Sequence, residues 1–203
     1  MRDLLDRDSG ERMVGDIYHE EFGKDLWRTG APGLWKLERR QTFQEPYSES
    51  WTAFRNGDWE EALRLHEARR ASLQDTYRKI VEHGFSTWWV RVVEKPITPY
   101  LQWELHLLRL RNQCGDHVRA VRPEQVEWFE RDGPLPEVVT LGTDVMYEIV
   151  YDENGLPQGG VRFTDQARVV RTQERIQELF TAGEDMETFF EREVAGLAPP
   201  SGG

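Results

Sequence analysis

This chain contains one cysteine, Cys114, so no disulfide can form within it. That fits a reducing compartment. No apolar run approaches the ~20 residues that a membrane-spanning helix needs. The opening MRDLLDRDSGERM is charged throughout and lacks the apolar stretch of a secretory signal. A cytoplasmic protein without a membrane partner is the expectation. Basic residues are in deficit as well: 26 Lys and Arg face 37 Asp and Glu, a formal net charge of −11. Nucleic-acid binders displace counterions with a basic stripe. Here Arg39-Arg40 and Arg69-Arg70 have acids nearby. Direct nucleic-acid binding is not expected.

The usual signatures of catalysis are missing too. No two of the five histidines lie three or four residues apart, and Cys114 is alone, so no zinc spacing exists. His19 with Glu20 and Glu21 offers too few ligands. Cys114 precedes Gly115 at an expected helix C-terminus, where the macrodipole disfavours a thiolate, even with His117 three residues on. There is no Gly-x-Ser-x-Gly elbow, no Walker sequence and no Gly-x-Gly-x-x-Gly. No metal and no cofactor are expected, and the chain has no internal repeat.

What is present is aromatic. The chain of 203 residues has 8 Trp, 9 Phe and 6 Tyr. Disordered chains are poor in such residues, so this one folds around an aromatic-rich core. Periodicity predicts a helix at about 15–28, a strand in LWKLERRQTF (34–43) and a long helix over 58–83 capped by Asp58. A strand at 88–94 and a helix from Pro99 to about Arg111 follow, with Thr98 as N-cap and Gly115 beyond its end. Further strands are predicted at 117–122, 137–143, 145–151 and 160–163, with a hairpin turn at 152–155. A short helix at 123–130, a long one at 166–181 behind Asp165 and a last turn around Met186 complete the set. The fold class is α+β: a small, mostly antiparallel or mixed sheet with long helices packed on it, and a helical N-terminal half. Residues 1–30 read as an N-terminal helical arm, 31–183 as a single α+β domain, and 184–203 as a short helix and tail.

The segment STWWVRVVEKPITPYLQWEL (86–105) is the densest in the chain. Arg91 stands in a valine-rich strand, Glu104 in a helix apolar almost all round, and Glu38 in another short strand. Charges in such settings need partners, because a lone desolvated charge costs several kcal/mol. Two readings stay open. Arg91 and Glu104 could be a bridge that holds helix to strand. Alternatively Arg91, Tyr100, Trp103 and Glu104, with Glu38 nearby, could line an aromatic-walled pocket for a small polar ligand.

Several segments together resemble an actinobacterial family of uncharacterised function: LWKLERRQTF, FRNGDWEEA (54–62), VRVVEKPITPYLQWEL (90–105), YDENGLPQGG (151–160) and the closing helix near RTQERIQELF. The string Arg91-Val92-Val93-x-x-Pro96, then Tyr100, then Trp103-Glu104-Leu105 is the most specific part. The resemblance implies no chemistry; such proteins are often encoded beside helix-turn-helix regulators. The C-terminal layout also resembles a degenerate half of a phospholipase-D-type fold. That superfamily needs a His-x-Lys pair, and none of the five histidines has one. The expected function is a non-enzymatic regulatory or interaction protein that senses a small polar ligand or binds a partner protein. The alternative is an enzyme or biosynthetic accessory using Glu104 or Glu38 as its carboxylate.

Overall fold

The computed structural model describes residues 5–131 and 133–200. Its strands are β1 (Glu11–Met13), β2 (Leu34–Glu38), β3 (Thr87–Val92), β4 (His117–Val121), β5 (Val138–Leu141), β6 (Val145–Tyr151), β7 (Pro157–Phe163) and β8 (Glu184–Asp185). The helices that build the core are α1 (Gly15–Leu26), α2 (Glu49–Arg55), α3 (Trp59–Glu67), α4 (Arg70–Glu82), α5 (Pro99–Cys114), α6 (Pro123–Val126), α7 (Gln166–Ala182) and α8 (Met186–Glu193). Among the described residues the strands form one mixed eight-stranded sheet, in the order β1-β7-β6-β5-β2-β3-β4-β8. The fold is therefore α+β.

Strands β2, β3 and β4 run parallel, and the rest pair antiparallel. Parallel neighbours need crossovers. The crossover from β2 to β3 carries α2, α3 and α4, and that from β3 to β4 is α5. Strand alternation then divides the side chains between two faces. Leu37, Val90, Val92, Val121, Val138 and Met146 face α7, which brings Val169, Ile176 and Leu179 to them. Trp89, Val118 and Ala120 face the other way, against Leu101, Leu105 and Leu108 of α5. The adjacent tryptophans part accordingly. Trp88 stacks on Trp35 with ring centroids 4.4 Å apart on the α7 side, while Trp89 points to the α5 side.

Helix α5 follows its sequence signals. The Thr98 hydroxyl accepts from the Leu101 N–H, Pro99 occupies the first turn, and Gly115 caps the end at φ +123°. Helix α7 likewise starts on Asp165, whose carboxylate accepts from the Arg168 N–H.

Four expectations are corrected. The strand read over 34–43 stops at Glu38. The N–H groups of Arg39 and Arg40 donate to the Glu137 carboxylate at 3.0 and 2.7 Å instead of continuing a ladder. Residues 49–55, between the predicted strand and the long helix, where no element was predicted, form α2, capped by Ser48. The single helix over 58–83 is two. Ala62 and His66 pack beside Trp103, Leu73 and Tyr77 beside Leu110 and Cys114, and the chain turns at Ala68-Arg69 between these two stretches of α5. Strands β1 and β8 carried no β-signal and were not foreseen.

Residues 11–26, within the segment read as an arm, lie against the sheet. β1 pairs with β7 through Glu11, Arg12 and Met13. Gly159 makes this possible: at φ +106° a Cβ there would lie 2.1 Å from the Met13 carbonyl oxygen. Asp25 fastens the end of α1, accepting from the Tyr147 hydroxyl at 2.6 Å and from Arg162 Nε at 2.7 Å. Burial pushes this carboxyl up, but Arg162 and Tyr147 outweigh it and hold it below the usual range.

Candidate functional site

The parallel register sets Lys36 against Trp89 and Glu38 against Arg91 on neighbouring strands β2 and β3. Alternation puts all four on the α5 side of the sheet. Helix α5 crosses above them and supplies Tyr100 and Glu104, one turn apart and so on one face.

The outcome is a buried charge network. Arg91 is fully buried, and Glu38 and Glu104 are each 5% exposed. Arg91 Nη2 and Nε lie 2.7 and 2.8 Å from Glu104 Oε2. Arg91 Nη1 donates to the carbonyls of Val92 and Glu38 at 3.2 and 3.4 Å, and Glu38 Oε2 is 4.0 Å from Arg91 Nε. Glu38 also accepts from Trp89 Nε1 at 3.0 Å and pairs with Lys36 Nζ at 2.6 Å. Tyr100 donates to Glu45 at 2.5 Å and lies 3.4 Å from Glu104 Oε1.

Acids outnumber bases in this network, with Glu38, Glu45, Glu104 and Glu137 around Arg91 and Lys36. Burial, reinforced by Glu38 and Glu45, pushes Glu104 upward against the pull of Arg91. Burial, helped by Glu38, raises Glu137 to about 7 although Arg91 and two backbone N–H groups oppose it. Glu45 is raised by burial as well.

Glu38, Arg91, Tyr100 and Glu104 thus meet in one network. Trp103 adds no polar group to it: its ring packs against Tyr100 with centroids 5.5 Å apart and stacks near Phe54, and its Nε1 donates to Ser50 Oγ at 2.9 Å. Beside it His66, held by burial at about 4, lies 3.4 Å from the same hydroxyl.

A cleft of about 490 Å³ opens on the same side of the sheet. Leu34, Lys36, Trp89, Val139, Ile149 and Tyr151 make its floor; Tyr18, Phe22 and Leu26 of α1 form one wall; Leu73, Thr76, Tyr77 and Ile80 of α4 form the other, with Arg69 at the head of α4. The cleft exists because α1 covers β6 and β7 and α5 covers β3 and β4, leaving a strip over β2 and β5 between them. None of the five expected residues lines it; Lys36, Trp89 and Tyr151 connect it to the network beneath. Lys36 Nζ sits 3.7 Å above the Trp89 ring, and Arg111 stacks on the same indole at 4.7 Å. Arg111 also pairs with Asp116 at 3.3 Å, and Asp116 accepts from Tyr77 at 2.7 Å and from Thr87 at 2.5 Å. The clue to Lys36 and Trp89 was alternation: each lies two residues before an expected site residue, on the same face. A more open recess of about 660 Å³ lies beyond Arg69, bounded by residues 44–50.

Among the described residues, no group of three His, Cys, Asp or Glu side chains is placed to hold a metal ion. No helix among them is long and apolar enough to cross a membrane. Residues 20–191 match the family described as Domain of unknown function (DUF6879). No curated protein matches the chain.

Proposed function

The chain belongs to the DUF6879 family, and we propose that it is a non-enzymatic regulatory module that binds a small molecule in the cleft between α1 and α4. One observation carries this reading: a cleft of about 490 Å³ with aromatic and aliphatic walls and a few convergent polar groups. That size and lining suit a small-molecule site. The buried network beneath acts as its scaffold. Glu38 fixes Lys36 and Trp89, and Arg91 with Glu104 locks strand to helix under them. Carboxylates that accept bonds inside the core make poor acid–base catalysts, because a general base must reach its substrate. This favours binding over the carboxylate-enzyme alternative. The resemblance to actinobacterial proteins encoded beside helix-turn-helix regulators agrees with a regulatory, cytoplasmic role.

The test is a thermal-shift screen of a metabolite library on the full chain, repeated on Leu34→Trp, which fills the cleft floor. Ligands that raise the melting temperature of the wild type but not of the variant support the reading. Hits that are indifferent to Leu34→Trp, or a library without hits, count against it.

A further inference from the structure

The charged side chains that line the cleft are mostly basic, although Glu38 of the network beneath pairs with Lys36. The chain carries −11 overall, yet Lys36, Arg69 and Arg111 line the cleft against one carboxylate, Asp116. That carboxylate is saturated by Tyr77, Thr87, Arg111 and the His117 N–H. Its negative charge is met by these four donors. Lys36 differs. Its ammonium group has three donors and makes one ion pair, with Glu38, so it retains capacity for a second acceptor. Arg69 is exposed at the head of α4 and borders both the cleft and the neighbouring recess. Around these cations the surface is apolar: Phe22, Leu26, Leu34, Val139 and Ile149.

We infer that the ligand of this cleft is an amphipathic anion, a carboxylate on an aliphatic or aromatic body. Lys36 and Arg69 receive the carboxylate, and the α1 wall and sheet floor bury the body. This rests on the ligand-binding reading above and narrows it to a chemical class. An organic cation is disfavoured. Although Trp89, Tyr77 and Tyr151 could form an aromatic cage, Lys36 and Arg111 already occupy the Trp89 face.

The inference is tested by calorimetric titration of the full chain with decanoate, decanamide and decylamine, and with 3-phenylpropionate and its amide. Charge-assisted hydrogen bonds contribute enough for the acids to bind about tenfold or more tighter than the amides. The amine should bind weakest. Arg69→Gln, at an exposed position, should reduce the acid-over-amide ratio severalfold, and Lys36→Met should abolish it while amide affinity persists. If Lys36→Met does not fold, Arg69→Gln and the unmodified chain still decide the matter. Amides that bind as well as acids, or a ratio unchanged in both variants, overturn the anion class and leave the small-molecule reading standing. No heat with any probe at millimolar concentration overturns both.

Discussion

Replacing Glu104 by Gln removes one charge from the most buried ion pair in the site and leaves the other in place. At 2.7 Å, and at an effective dielectric constant of about 20, the gross attraction is roughly 6 kcal/mol. Desolvation of both ions takes back much of it, so the net value of the pair is small. The cost of breaking it is not. Arg91 cannot shed its proton, and in the variant it keeps hydrogen-bond acceptors, an amide oxygen and two carbonyls, but its nearest counter-charge becomes Glu38 at 4.0 Å. The expected loss is about 3–5 kcal/mol. Arg91→Met strands Glu104 instead, but a carboxyl that burial already pushes upward can take a proton. Its loss should therefore be smaller at pH 6 than at pH 9. Urea unfolding of both single variants and the double variant gives the coupling energy. It should exceed about 1.5 kcal/mol, because the double variant leaves neither charge stranded. Losses additive within about 0.5 kcal/mol would refute the argument.

Three further perturbations follow from the same geometry. Burial holds Glu137 at about 7 in the folded chain, above the unfolded carboxylate range. Its stabilising contribution is thus complete below that range and lost as pH rises through about 7. Glu137→Gln should gain on the wild type by on the order of 2–3 kcal/mol between pH ~4.5 and ~7; a flat or falling difference in urea midpoints refutes this. Asp25→Ala leaves the Tyr147 hydroxyl and Arg162 without their acceptor and should cost about 2–4 kcal/mol, with faster amide exchange in α1; unchanged exchange would mean that Asp25 does not hold the helix. Gly33 enters β2 at φ +78°, where a Cβ would stand 2.2 Å from the Trp88 side chain and 2.8 Å from the Ser86 carbonyl. Gly33→Ala should cost at least about 2 kcal/mol, and a melting temperature within a degree of the wild type would contradict that.

Local chemistry made the long elements legible. Thr98-Pro99 and Asp165 begin α5 and α7 as capping rules predict, and alternation in TWWVRV marks β3. What stayed hidden depends on partners distant in sequence. The end of β2 is set by Glu137, about a hundred residues away, which captures the N–H groups of Arg39 and Arg40. The turn at Ala68-Arg69 has no glycine or proline to announce it and reflects packing on α5. β1 is three polar-to-apolar residues that become a strand because β7 offers a free edge and a glycine. The charges that needed partners were visible at Glu38, Arg91 and Glu104. The cleft was not, since its walls come from α1, α4 and four strands whose order in the sheet no local pattern encodes.

Ligand seating in the cleft, whose floor Trp89 helps to form, is the central claim, and fluorine spectroscopy addresses it directly. The full chain would be labelled with 5-fluorotryptophan, the Trp89 resonance assigned through Trp89→Phe, and decanoate and decanamide titrated separately. Trp89 lies on the cleft floor, Trp103 is sealed in the core and Trp128 is exposed elsewhere on the surface. The Trp89 resonance should shift saturably, further with the acid at equal concentration, while Trp103 and Trp128 stay in place. A Trp89 resonance unmoved by either compound, or a shift confined to Trp128, would contradict it.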